Sequence, residues 1–154
     1  MTLQSIVPYS APPVTTVPAV ARSGTCAYLT PSLARRLVPG VGRGHRDSMP
    51  HADSCSYVSD DDKSTIVLDE TLGAAPVHNV RLAFRNIVKI VGRPKVFSHP
   101  SGIGPGAMQL WSPHTATVDW LENGRDFELL VGAPGLTNAR LTAIARAVAP
   151  HTAG

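Results

Sequence analysis

Apolar residues recur at helical spacing in the segment VHNVRLAFRNIVKIVG, which covers residues 77–92. They lie three or four positions apart, with basic or other polar residues between them, as in an amphipathic helix. Gly92 and Pro94 would end this helix. The segment also contains many β-branched residues, so a strand remains the alternative. The apolar positions are Val77, Val80, Phe84, Ile87, Val88 and Val91.

A short helix is predicted after residue 30 by signals at both of its ends. Thr30 is a favourable N-cap, and Pro31 suits the first helical position. Leu33 and Leu37 share one face of the helix, and the Pro39-Gly40 dipeptide stops it.

The end of the chain predicts a third helix, in LTNARLTAIARAVA. Leu141, Ile144 and Val148 share one face, and Thr137 or Asn138 would cap the N-terminus. The helix is expected to end at Pro150.

Five segments have the composition of short strands. CSYVS and STIVLDE flank the polar turn DDDK and predict a hairpin. AMQLW, TATVDWL and DFELLVG predict a three-stranded meander, with Asn123-Gly124 as a tight turn. The meander residues expected on one buried face are Val118, Trp120, Phe127 and Leu129.

The segment 41–54 is rich in Gly, Asp, Ser and His and is predicted to be a loop.

The element order predicts an α+β fold. Hairpin connections favour antiparallel pairing, so we expect a single antiparallel sheet of about five strands, covered on one face by about three helices. One such domain should occupy residues 23–150. Residues 1–22 contain four prolines and are expected to form a flexible leader or linker.

Composition and charge narrow the classes of function. Charged residues make up 16% of the chain and the net charge is +3, without a basic cluster, which argues against nucleic-acid binding. No apolar run is long enough for a membrane helix. We expect contact with a membrane only through an anchor that lies outside this sequence.

The chain has two cysteines, Cys26 before the first predicted helix and Cys55 at the start of the first predicted strand. A bond between them would close the intervening glycine-containing loop and contribute about 3–4 kcal/mol in the chain-entropy description. It would also imply an oxidising compartment. Two unrelated buried thiols are the alternative.

Four segments resemble a family of actinobacterial secreted lipoproteins of unknown function. They are CAYLTPSLARRLVPG, SCSYVSDDDKSTIVL, GIGPGAMQLW and the terminal LTAIARAV. In that family a cysteine precedes a Leu-Thr/Ser-Pro helix start and a second cysteine lies in a strand. The chain departs from the pattern because no apolar segment precedes Cys26. The resemblance implies an extracytoplasmic location, secreted or associated with the cell envelope, and no particular activity.

No segment carries a recognisable catalytic arrangement or cofactor motif. GIGPG lacks the strand before it and the helix after it that a dinucleotide loop needs, so it is expected to be a turn. His45 and His51 share a loop with two aspartates and are the candidates for a metal site, although their spacing matches no standard one. We therefore predict no cofactor and no resident metal.

Mixed polar and aromatic side chains in the meander suggest a surface for a partner. If the strand parity turns them outward, Gln109, Trp111, Thr117, Asp119 and Arg125 would form that surface. We therefore expect a non-catalytic extracytoplasmic binding or accessory domain of the cell envelope, with an envelope protein or a small ligand as its partner. The alternatives are a sensor or regulatory ectodomain of a membrane-anchored protein, and a small metal-assisted hydrolase that uses His45 and His51.

Overall fold

The computed structural model describes residues 24–153, so the proline-rich leader predicted over 1–22 lies outside the described residues. The helices are α1 over 24–28, α2 Pro31–Leu37, α3 Ala74–Ile90 and α4 Asn138–Thr152. The strands are β1 Val41–Met49, β2 Ala52–Ser59, β3 Thr65–Thr71, β4 Val96–Ser98, β5 Met108–Ser112, β6 Thr115–Glu122 and β7 Arg125–Gly132.

All seven strands form one antiparallel sheet in the order β1-β2-β3-β7-β6-β5-β4. The α+β class and the single antiparallel sheet are therefore confirmed. Two meanders, β1 to β3 and β4 to β7, meet where β3 pairs with β7 in the middle of the sheet. Asn123 and Gly124 join β6 to β7 with positive φ at both positions, as the sequence predicted for a tight hairpin.

The prediction of about five strands was wrong because both edge strands have unusual sequences for strands. β1 occupies part of the segment predicted to be a loop, and most of its side chains are exposed. Edge strands commonly carry charged residues, since no further strand should pair with them. Gly44 in β1 is needed, because a Cβ there would lie 2.6 Å from Cε2 of Tyr57. β4, at the other edge, has only three residues.

One face of the sheet, the main-core face, is covered by α1, α2 and α4. Tyr57, Leu68, Trp120, Phe127 and Leu129 on this face are each at most 1% exposed, and they pack with Leu29, Leu33, Leu141, Ile144 and Val148. The four meander residues expected on one buried face are indeed buried together. Thr30 and Thr137 cap α2 and α4 by accepting hydrogen bonds from Leu33 N and Arg140 N, as predicted.

The long helix α3 covers the opposite face, here called the α3 face. The structure has four helices instead of about three, and the expectation that all the predicted helices cover the same face was wrong. Phe84 packs against Met108 and Leu110 of β5. These two residues alternate with Gln109 and therefore point away from the main-core face. The sequence could not distinguish the faces because β5 is buried on both of them.

Candidate functional site

Three acidic residues form a row across the α3 face of the central strands. Asp69 of β3 lies directly opposite Glu128 of β7, and Glu128 lies directly opposite Asp119 of β6. Like charges at directly opposed positions destabilise a sheet. The row therefore opposes folding unless protons or cations compensate it.

A fourth acid, Asp126, lies in the next position on the same face of β7 and is close to Asp119. The Asp119 and Asp126 side chains are 0% and 1% exposed. Arg81 reaches down from α3, with its Nη1 2.6 Å from Asp119 Oδ1 and 3.9 Å from Asp126 Oδ1. Its Nη2 donates to the Gly106 carbonyl oxygen at 2.9 Å. The Arg81 guanidinium thus lies within ion-pair distance of two buried carboxyl groups.

The carboxyl groups of this cluster hold protons more tightly than isolated acids do. Burial is the main cause that raises the pKa of Asp126 to about 9, and the hydrogen bond to Asp119 and its negative charge add to the shift. Burial also raises the pKa of Asp119, against the opposing effect of Arg81. Neither oxygen of Asp126 has a partner among the described donors. A proton held by Asp126 would allow it to donate to Asp119 Oδ2, which also lacks a partner.

Asp69 and Glu128 are half-buried and form the outer part of the cluster. Burial raises the pKa of Glu128 to about 7, and the charges of Asp119 and Asp69 raise it further. The pKa of Asp69 is also raised, mainly by burial. Among the described residues, neither carboxyl group forms an ion pair with a basic side chain. With a pKa of about 7, the Glu128 carboxyl group gains or loses its proton near neutral pH.

Beside these two acids, α3 leaves part of the sheet uncovered. On the α3 face, Val58 of β2 is 42% exposed and Leu130 of β7 is 37% exposed. Val67 lies between them on β3, directly opposite Leu130, and is half-buried. We call these five residues, Val58, Val67, Asp69, Glu128 and Leu130, the open patch. It combines apolar side chains with acids that lack a basic partner.

The surface predicted from strand parity does not exist as one surface. Gln109, Thr117 and Asp119 are buried. Gln109, Trp111 and Arg125 belong to the main-core face, whereas Thr117 and Asp119 belong to the α3 face. The strand register assumed for the prediction differs from the real one, since residues expected on one side alternate between two covered faces.

The polar groups of these predicted residues are used inside the domain. Gln109 donates to Asn138 and accepts from Thr142, and the Trp111 indole donates to the Leu136 carbonyl oxygen. Arg125 pairs with buried Glu70 at 2.6 Å and donates to the Tyr28 hydroxyl. Of the predicted set, only Asp119 belongs to the carboxylate cluster.

The predicted disulfide between Cys26 and Cys55 is present. It joins α1 to β2, and the same junction is fixed by Asp53. One Asp53 oxygen accepts from both Thr25 N and Thr25 Oγ1, and the other accepts from Arg46 Nε. The opening turn of the described chain is therefore held to the sheet by both covalent and polar contacts.

The two histidines proposed as metal ligands lie apart from the carboxylate cluster. His45 is exposed on β1 with Nε2 3.3 Å from Asp47 Oδ1, and His51 is exposed in the turn before β2. Within residues 24–153, no group of three or more His, Cys, Asp or Glu side chains is arranged to hold a metal ion.

Sequence reasoning missed Asp69, Asp126 and Glu128 as members of one site. Each acid lies beside a buried apolar residue in STIVLDE or DFELLVG, so strand alternation could have placed it opposite the main core. The pairing of β3 with β7, which brings the acids together, joins strands that are distant in sequence and carries no local signal.

Comparisons with known proteins identify no relative: no family model, no curated protein and no solved structure matches this chain. Within residues 24–153, every helix is too short or too polar to cross a membrane.

Proposed function

We propose that the chain is a non-catalytic, extracytoplasmic binding domain of the cell envelope, and that its partner docks on the open patch. The observation that carries this proposal is the opposition of Asp69 and Glu128 beside exposed apolar side chains. Ionised acids at directly opposed positions destabilise a sheet, and among the described residues neither acid forms an ion pair with a basic side chain. A cationic group from a partner would relieve that repulsion.

The chemistry of the open patch defines the partner. Lys or Arg side chains of a partner would pair with the two acids, and Leu, Ile or Val side chains would pack against the apolar residues of the patch. We therefore propose a protein segment that presents basic and aliphatic side chains on the same face, such as an amphipathic helix. Charge complementarity disfavours an anionic lipid surface, because the patch has the same sign.

Burial favours binding over catalysis as the role of the cluster. Asp119 and Asp126 have the perturbed pKa values that an acid–base pair needs, but their side chains lie beneath α3. A substrate would have to displace α3 before it could reach either carboxyl group. We therefore assign the buried pair to the support of α3 and the outer pair to the partner.

The disulfide and the family resemblance support the extracytoplasmic location. A structural disulfide is typical of proteins from oxidising compartments. The short segments around Cys26 and Cys55 resemble those of secreted actinobacterial lipoproteins. An envelope protein is therefore the class of partner we propose.

The test is a binding titration with a short amidated peptide of leucine and lysine, patterned to give one helix face with both residue types. Calorimetry at pH 7.5 should give saturable binding that weakens as salt is added. Asp69→Asn with Glu128→Gln should weaken it about tenfold or more, which corresponds to about 1.4 kcal/mol.

Matched controls are available for both the variant and the peptide. Asp60→Asn with Glu122→Gln removes the same two kinds of carboxyl group away from the patch and should leave binding unchanged. A peptide with glutamate in place of lysine should not bind. Equal binding of the lysine peptide by both double variants would contradict the proposal.

A further inference from the structure

A cavity of about 350 Å³ lies on the flank of α3 away from the open patch. Arg81 and Arg85 of α3 form one wall, and Phe97 of β4 and Met108 of β5 form the other. Gly106, the last residue of the predicted GIGPG turn, and His99, which precedes that turn, complete the lining. A cavity of this size accommodates a small organic ligand.

The two arginines of the cavity differ in how their charges are used. Arg81 is committed to Asp119 and to the Gly106 carbonyl oxygen. Arg85 is exposed, and its charge acts on Asp119 from a distance, but among the described residues it forms no ion pair. Arg85 could therefore pair with a ligand, whereas Arg81 connects α3 to the cavity wall at Gly106.

The opposite wall offers aromatic surface and a second polar group. Phe97 is 39% exposed although its ring is large and apolar. It meets the ring of His99 edge to face, with centroids 5.0 Å apart. His99 Nδ1 lies 3.2 Å from the Ala107 carbonyl oxygen, so Nδ1 carries the proton and Nε2 remains for a ligand.

The glycine in the loop keeps the cavity wall in contact with α3. Gly106 has a φ of +65°, and a Cβ there would lie 2.6 Å from Arg81 Nη2. The positive φ favours glycine here, and any larger residue would push the end of the Arg81 side chain away from the loop. The last residue of GIGPG therefore forms part of the cavity wall.

We propose that this cavity binds a small organic anion with a flat apolar body, such as an aromatic carboxylate or sulfonate. Arg85 pairs with the anionic group, and Phe97, His99 and Met108 contact the body. This site goes beyond the proposed protein-binding function, because it lies on the other flank of α3 and takes a ligand of opposite charge.

The probe is 1-anilinonaphthalene-8-sulfonate, whose fluorescence rises when it leaves water. The folded domain should bind it saturably at micromolar concentration. Arg85→Gln and Phe97→Ala should each weaken binding about tenfold. Lys89→Gln, one turn further along α3, removes the same charge without touching the cavity and should bind as the parent does.

A neutral analogue of the dye distinguishes the contribution of the anionic group from that of the aromatic rings. N-phenyl-1-naphthylamine lacks the sulfonate, so its affinity should fall with Phe97→Ala and stay constant with Arg85→Gln. Thermal melts establish that each variant is folded before it is compared. If folded Arg85→Gln and Phe97→Ala both bind the sulfonate as the parent does, the dye sits elsewhere and the proposal is overturned. Displacement of the dye by the leucine-lysine peptide would also overturn it, because the two sites would then coincide.

Discussion

Arg81 on α3 forms a 2.6 Å ion pair with Asp119 on β6, thirty-eight residues further along the chain. Phe84 is the buried residue of α3, and most other side chains of the helix are half-buried or exposed. The position of α3 on the sheet therefore depends on this ion pair together with the small cluster around Phe84. Both the open patch and the cavity depend in turn on the position of α3.

Arg81→Met should destabilise the domain by about 3 kcal/mol at pH 8, because it leaves buried carboxyl groups without a cation. The loss should be smaller at pH 5, where Asp119 can take up a proton instead of its lost partner. Urea unfolding at the two pH values measures both effects. Lys89→Met, an exposed change on the same helix, should cost less than about 0.5 kcal/mol. Equal losses for Arg81→Met at both pH values would contradict the role given to Arg81.

The free energy of unfolding should fall as pH rises from about 5 to about 9. The pKa of Asp126 is about 9 in the folded protein, against a usual 3.8, so in this range the folded state holds a proton that the unfolded chain has lost. The stabilising contribution is complete below the unfolded pKa and is lost as pH rises through the folded one. Glu128, with a pKa of about 7, acts in the same direction.

Asp126→Asn should flatten this pH dependence and leave the domain more stable than the parent at pH 8. Asp60→Asn, in an exposed turn, should leave the curve unchanged. Chemical denaturation across the pH range provides the measurement. A parent whose stability rises between pH 5 and pH 8 would show that the buried acids are ionised without cost.

Local sequence signals were sufficient to predict the interior strands and the helices α2, α3 and α4, but not which helix covers which face of the sheet. The caps at Thr30 and Thr137 and the Asn123-Gly124 turn depend on neighbouring residues, so the sequence contains the information. The side of the sheet on which α3 lies depends on Phe84 meeting Met108 and Leu110, and no local pattern contains that contact. The edge strand β1 is held mainly by backbone pairing, so its side chains do not reveal it.

The helix α4 should be essential for folding. Ile144 is 2% exposed in the main core, so Ile144→Asp both removes packing and buries an unpaired carboxylate. The domain has roughly 5–15 kcal/mol of stability in total, and this change should unfold it or nearly so. Ala143→Asp introduces the same residue on the exposed side of the same helix and should cost about 1 kcal/mol or less. Similar urea midpoints for the two variants would show that α4 is not docked as described.

The disulfide should form fully and contribute to stability. Protein from an oxidising compartment, denatured without reductant, should contain no titratable thiol. Cys26→Ser with Cys55→Ser should lower the free energy of unfolding by about 2–5 kcal/mol. Two free thiols in protein recovered from the cell envelope would remove the support that the disulfide gives to an extracytoplasmic location.

The site was less predictable than the fold for a related reason. Asp119 was selected from the sequence as an outward-facing residue, yet it is buried beneath α3. Its neighbours Asp69 and Glu128 come from strands that are adjacent only because two meanders pair in the middle of the sheet. A cluster formed by such pairing can be recognised only once the register is known.

The most direct test of the proposed function is an amide chemical-shift titration of the labelled domain with the leucine-lysine peptide. We expect the shifts to concentrate on β2, β3 and β7 around Val58, Val67, Asp69, Glu128 and Leu130, and to disappear in the Asp69→Asn, Glu128→Gln variant. Shifts that map to α4 or to the outer surface of α2, or that persist in that variant, would contradict the assignment of the open patch as the partner-binding surface.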